Sequence, residues 1–137
     1  MAVNTRFCTG IHTLVLLAAD PDVQQTSDEI ARKLNTNPVV IRRVLSLLRQ
    51  AGLVSSQKGP SGGSKLAKPG KAIKLGDIYR ALEPVSIFHG SNLTGDHADK
   101  VNGALEKIYR GAQEAMEAEL DGTTLNQLAK KSEKKKK

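Results

Sequence analysis

The sequence predicts a mainly α-helical fold: a winged helix-turn-helix domain with a two-stranded wing, followed by a long C-terminal dimerisation helix. Three observations predict it. Two helical segments parted by a short polar break run straight into a glycine-bearing stretch of strand character, Leu53 to Ala67. Further on, apolar residues recur at alternating spacings of four and three from Val101 to Ala115, the pattern of a helix that buries one stripe against a partner. The 137 residues suffice for one domain with a core and an appended arm, and not for two ordinary domains. The expected organisation is residues 1–83 as the winged domain, 84–96 as a linker loop, 97–122 as the long helix, and 123–137 as a C-terminal segment with a disordered Lys-rich tail.

The first segment, "NTRFCTGIHTLVLLAAD", carries apolar residues at Phe7, Ile11, Leu14, Val15 and Ala18, the spacing of a helix with one buried stripe. It ends at Asp20-Pro21. The second opens with Thr26 and Ser27, and Thr26 followed three residues later by Glu29 is a capping box; Ile30, Ala31 and Leu34 form its inner face. Asn35, Thr36 and Asn37 break the helix. Pro38 restarts it, because its fixed φ suits a first helical turn, and Asn37 is the natural cap. That third helix is expected to turn Val40, Ile41, Val44, Leu45 and Leu48 inward and to leave Val39, Arg42, Arg43 and Ser46 outside.

Gly52 then stops the helix, and strands are expected at Leu53–Gln57 and Ser64–Ala67 around the loop "KGPSGG". A lysine-bearing glycine loop can also cradle a nucleotide phosphate. That reading needs glycine, four residues, glycine, lysine and a hydroxyl residue, but counting from Gly59 places Ser64 at the second glycine and Leu66 at the hydroxyl. The loop is therefore read as a wing tip. Lys58 is placed for phosphate or minor-groove contact, Ser61 is a further DNA-binding candidate at the tip, and Gly59, Gly62 and Gly63 let the backbone approach closely, with positive φ expected at Gly62.

Charge divides unevenly along the chain. Residues 1–82 carry +7, residues 83–129 carry −5, and residues 130–137 carry +5. The attraction for a polyanion thus lies in the first part, leaving the acidic part for another task. One cysteine excludes an internal disulfide and a multi-cysteine zinc site. The longest apolar run, Leu14 to Ala19, is far below the roughly eighteen residues that span a bilayer, so a cytoplasmic protein is expected.

The stretch "EIARKLNTNPVVIRRVLSLLRQAGLVSSQKGPSGGSKLAKPGKAIKLGDIYRALE" resembles the DNA-binding half of the bacterial regulators typified by IscR, NsrR and CymR, and "LNTNPVVIRRVLSLL" resembles the YwnA-type branch. The resemblance implies a homodimeric transcription factor; a repressor acting on double-stranded DNA is the expected function. It implies that the recognition helix enters the major groove through Asn37, Val39, Arg42 and Arg43, while the wing, Lys58 to Gly63, enters the minor groove. Cluster-binding members carry three cysteines before the long helix, whereas "IFHGSNLTGDHADK" has none. No cofactor is expected, because no thiolates are available to hold iron. Arg42 stands where some relatives place Glu, so their target sequence does not transfer.

Val101, Leu105, Ile108, Ala112 and Met116 are expected to form the dimer seam. His89 and His97, with Asp96 and Asp99, match no metal-ligand spacing, so no metal site is expected there. Cys8, among apolar neighbours, is read as a small buried hydrophobe. No cluster has catalytic spacing, so no enzyme is expected. A winged-helix module that binds RNA or a protein partner is the alternative, since fold alone does not separate it from an operator-binding regulator.

Overall fold

The computed structural model describes residues 5–83 and 92–134. His89 lies outside the described residues, as does most of the expected linker. Six helices and one hairpin follow in the order α1 (Thr5–Ala19), α2 (Ser27–Leu34), α3 (Pro38–Gln50), β1 (Val54–Gln57), β2 (Gly63–Leu66), a 3-10 turn at Gly70–Ala72, α4 (Leu75–Leu82), α5 (Asp96–Asp121) and α6 (Leu125–Lys134). The hairpin is antiparallel, with Val54 opposite Leu66 and Gln57 opposite Gly63.

The core gathers Leu14 and Leu17 from α1, Ile30 and Ala31 from α2, and Ile41, Val44, Leu45 and Leu48 from α3. Leu53, Val54, Ile73, Ile78 and Leu82 close it. Each fully buried Leu or Ile contributes about 1.5–3 kcal/mol by leaving water. These residues recur at the three- and four-residue spacings that put one face of a helix inward.

Two helices sit differently from their apolar patterns. The buried face of α1 is Gly10, Thr13, Leu14 and Leu17, rotated by about 100° from the expected stripe. Phe7, Ile11, Val15 and Ala18 are only half-buried at its edge. The cause is α4, which approaches so closely that a side chain on Gly10 would strike Leu82. An apolar count cannot register a glycine. Thr13 stays satisfied in the interior because its hydroxyl donates to the Thr9 carbonyl at 2.8 Å. On α3, Val40 is 39 % exposed rather than buried; it lies about 90° from the centre of the Ile41–Leu48 stripe, on a first turn that its neighbours leave uncovered.

Cys8 is exposed and not a core residue. With His12 it lines a cleft of about 420 Å³ against Leu34, Asn35 and Thr36, since the rotation of α1 carries that face outward.

The C-terminal segment departs most from expectation. Instead of running into a disordered tail from Lys130, the chain is helical as far as Lys134, and Leu125 is fully buried in the core. The Leu125 N–H donates to the Ile73 carbonyl at 2.8 Å, and the Leu75 N–H to the Thr123 carbonyl at 2.9 Å. Thr124 and Gln127 supply a capping box, Gln127 N–H to Thr124 Oγ1 at 3.2 Å and Thr124 N–H to Gln127 Oε1 at 2.9 Å. A cap and one buried leucine thus seat a helix whose lysines carry no apolar signal.

Candidate nucleic-acid interface

The helix-turn-helix is fixed by its caps. The Glu29 N–H donates to Thr26 Oγ1 at 3.1 Å and the Thr26 N–H to Glu29 Oε1 at 2.8 Å, satisfying two donors that the helix start would otherwise leave open. The backbone N–H and hydroxyl of Thr26 hold the Glu29 carboxyl below its ordinary range. Asn35 ends α2 at φ 56°, in the left-handed region, which Asn tolerates better than most residues. Asn37 then accepts from the Val39 N–H at 2.8 Å, and Pro38 occupies the first turn of α3.

These caps aim the start of α3 outward. Asn37, Arg42 and Arg43 are exposed, Val39 is 52 % exposed, and Pro38 is half-buried. Thr26 is exposed and Ser27 half-buried at the start of α2. Arg42 Nη1 lies 3.7 Å from Asp28 Oδ1, an exposed pair that contributes at most about 1 kcal/mol to folding.

In the wing, Lys58, Gly59 and Ser61 are exposed and Gly62 and Gly63 half-buried. The Gly62 N–H closes the turn onto the Gly59 carbonyl at 3.0 Å. Positive φ falls at Gly59 (110°) and Gly63 (148°), not at Gly62. Glycine is required at position 62 for another reason, since any Cβ there would strike the Gln57 carbonyl. At Gly63 a Cβ would come within 2.8 Å of the Gln25 backbone, because the segments around Gln25 and Ser64 pair there.

That pairing is the element the sequence reading missed. Gln25 and Ser64 exchange backbone hydrogen bonds of 2.9 and 2.8 Å, a rudimentary third strand beside the hairpin. Gln25 is buried; its Nε2 donates to the Leu16 carbonyl at 3.2 Å and its Oε1 accepts from Lys33 Nζ at 3.0 Å. Gln24 Nε2 donates to Gln57 Oε1 at 3.0 Å. From the other side, Arg49 Nη1 reaches Ser56 Oγ at 3.3 Å, and Ser56 pairs with Ser64 at 2.9 Å. The wing is therefore tied to both ends of the helix-turn-helix. Two glutamines between an Asp-Pro turn and a capping box give no periodic signal that announces this.

On α5 no residue is buried. Val101 is 43 % and Ile108 63 % exposed, Ala112 is exposed, and Leu105 and Met116 are half-buried. The helix meets α4 through Arg80, whose guanidinium lies 2.9 Å from Glu117 Oε1, 2.7 Å from Asp121 Oδ1 and 3.2 Å from Asp77 Oδ1. Bonds to Asp121 and Glu117 raise the Arg80 pKa further above its already high value.

The profile of the Rrf2 family, described as iron-dependent transcriptional regulators, matches residues 3–131. The chain is 37 % identical over 128 residues to YwnA of Bacillus subtilis (strain 168), named as an HTH-type transcriptional regulator, covering 90 % of this chain and 93 % of that one. Among solved structures, CymR, the global cysteine regulator of B. subtilis, superposes with a TM-score of 0.71 at 29 % identity, covering 95 % of this chain and 97 % of that one. T. potens IscR superposes with a TM-score of 0.74 at 26 % identity over 100 % of this chain and 92 % of that one. The donor set does not fit an iron-sulfur cluster: the one cysteine, Cys8, stands in α1, and no group of three His, Cys, Asp or Glu among the described residues is placed to hold a metal. None of the described helices is long and apolar enough to cross a membrane. With its winged helix-turn-helix, its long α5 and these relatives, the chain belongs to the Rrf2 family and is a DNA-binding transcriptional regulator.

Proposed function

We propose that the protein is a homodimeric, non-enzymatic repressor acting in the cytoplasm on an inverted repeat in double-stranded DNA. The observation that carries this reading is the outward-facing start of α3, with Asn37, Val39, Arg42 and Arg43 exposed. It stands beside a wing that the Gln24, Gln25 and Arg49 hydrogen bonds hold to the same scaffold. An arginine there can bind a guanine edge bidentately, and an exposed valine can meet a thymine methyl group. Lys58 supplies charge to a phosphate or to the minor groove; unlike arginine it lacks the flat fork that fits a narrow groove. The uncovered stripe of α5 supports pairing with a second chain, because about 39 Å of helix with no buried residue has its apolar side left over.

The test is selection of bound fragments from a random DNA pool by the purified full-length chain. An enriched inverted repeat is the expected result. Fragments without a shared sequence would refute operator recognition, and enrichment of a single half-site by a protein sedimenting as a monomer would refute the dimer.

A further inference from the structure

The α4–α5 junction holds one cation among three carboxylates. Arg80 bonds Asp77 on its own helix and both Glu117 and Asp121 on α5. Gln113 Nε2 donates to Glu117 Oε2 at 2.9 Å and lies 3.4 Å from the Tyr79 hydroxyl, and Tyr79 in turn meets the Phe7 ring edge-on at 5.5 Å. Close approach is built in, since a Cβ on Gly76 would strike the Asp121 carboxylate. With no buried residue on α5, these polar contacts join that helix to α4, beside the Leu75 N–H bond to the Thr123 carbonyl just past its end. Removing the guanidinium would leave Asp77 facing Glu117 and Asp121 with no cation bonded between them.

We propose that Arg80 is the positioning residue that sets the spacing and rotation at which the two reading heads meet DNA, by clamping α5 against α4. The proposal rests on the dimer reading above. Its physical basis is leverage. Glu117 lies twelve residues, about 18 Å of helix, from Leu105 in the expected seam, so a tilt of about 10° at the clamp moves the seam by about 3 Å. That is close to the rise of one base pair, roughly 3.4 Å, which also rotates the next half-site by about 35°. A rigid clamp therefore selects one spacing, whereas a loosened one accepts several.

The experiment uses the full-length chain and the selected inverted repeat, with one or two base pairs inserted into or deleted from its centre. Affinity is measured by fluorescence anisotropy, affinity for an isolated half-site likewise, and mass by sedimentation. Wild type is expected to lose about tenfold or more for a one-base-pair change, because geometry then forbids both heads from engaging at once. Arg80→Gln is expected to lose less than about threefold for the same change, while keeping dimer mass and half-site affinity. Glu117→Gln and Asp121→Asn each leave Arg80 other partners and are expected to flatten the profile partway, which keeps the test decisive if Arg80→Gln fails to fold. A wild-type dimer indifferent to spacing would overturn the clamp, as would variants as selective as wild type. A wild-type chain that sediments as a monomer would instead overturn the dimer reading beneath it.

Discussion

Side chains that touch solvent in the free protein are expected to matter most when DNA is bound. Arg42 is the first of them, because its side chain stands exposed near the start of α3. Arg42→Ala should cost about 1–3 kcal/mol on the best site and relax its sequence preference, measured by competition between the selected repeat and single-base variants. Folding stability should change little, since an exposed pair contributes at most about 1 kcal/mol. The wing separates charge from shape. Lys58→Ala in a dimer should flatten the slope of log affinity against log salt by roughly 1 to 2 units without altering preference. Gly62→Val should weaken binding more than that, because its side chain collides with the Gln57 carbonyl and opens the turn. Equal affinity of both variants and wild type across a salt titration would reduce the loop to a turn. Arginines and glycines of this kind were legible as residues, but the reason for Gly62 was not, because a clash with a carbonyl five residues back exists only once the hairpin is closed.

Helices were legible where caps and apolar spacing agreed. Thr26 with Glu29 and Asn37 with Pro38 fixed the starts of α2 and α3 in advance, and the structure begins them there. Agreement failed where contact depends on what a residue lacks or on a single side chain. Gly10 rotated α1 unseen, and Leu125 drew α6 into the core although the lysines after it read as solvated tail. Leu125→Ala should destabilise the fold by about 2–5 kcal/mol in urea unfolding, the usual range for a buried leucine whose cavity does not collapse. A change within experimental error would mean that α6 does not seat. For α5, Leu105→Asp should put a charge into an apolar seam and shift the protein towards monomers at micromolar concentration by sedimentation. Its half-buried state in the single chain leaves folding of the head intact.

The protein as a whole couples a basic reading head to an acidic arm, and the junction between them titrates. Burial raises the Asp77 carboxyl, but the Lys74 N–H and Arg80 outweigh it and hold it below the usual 3.8; Gln113 and Arg80 hold Glu117 below the usual 4.5. Carboxyls lowered in this way stabilise the folded state fully above those ordinary values, and the contribution fades as pH falls through the lowered ones. Thermal stability should therefore be level near neutrality and decline below about pH 4.5, and the decline should be shallower in Arg80→Gln. An equal pH dependence in the two proteins would remove Arg80 from the acid response. The order of synthesis adds a further consequence. Leu125 is made forty-two residues after Glu83, roughly 2 to 8 seconds later at usual rates of about 5–20 residues per second. During that interval a nascent chain carries a complete recognition helix and wing over a core with one side chain missing. The core is complete only after α5 has been made, so a fully packed head always carries that long helix with it.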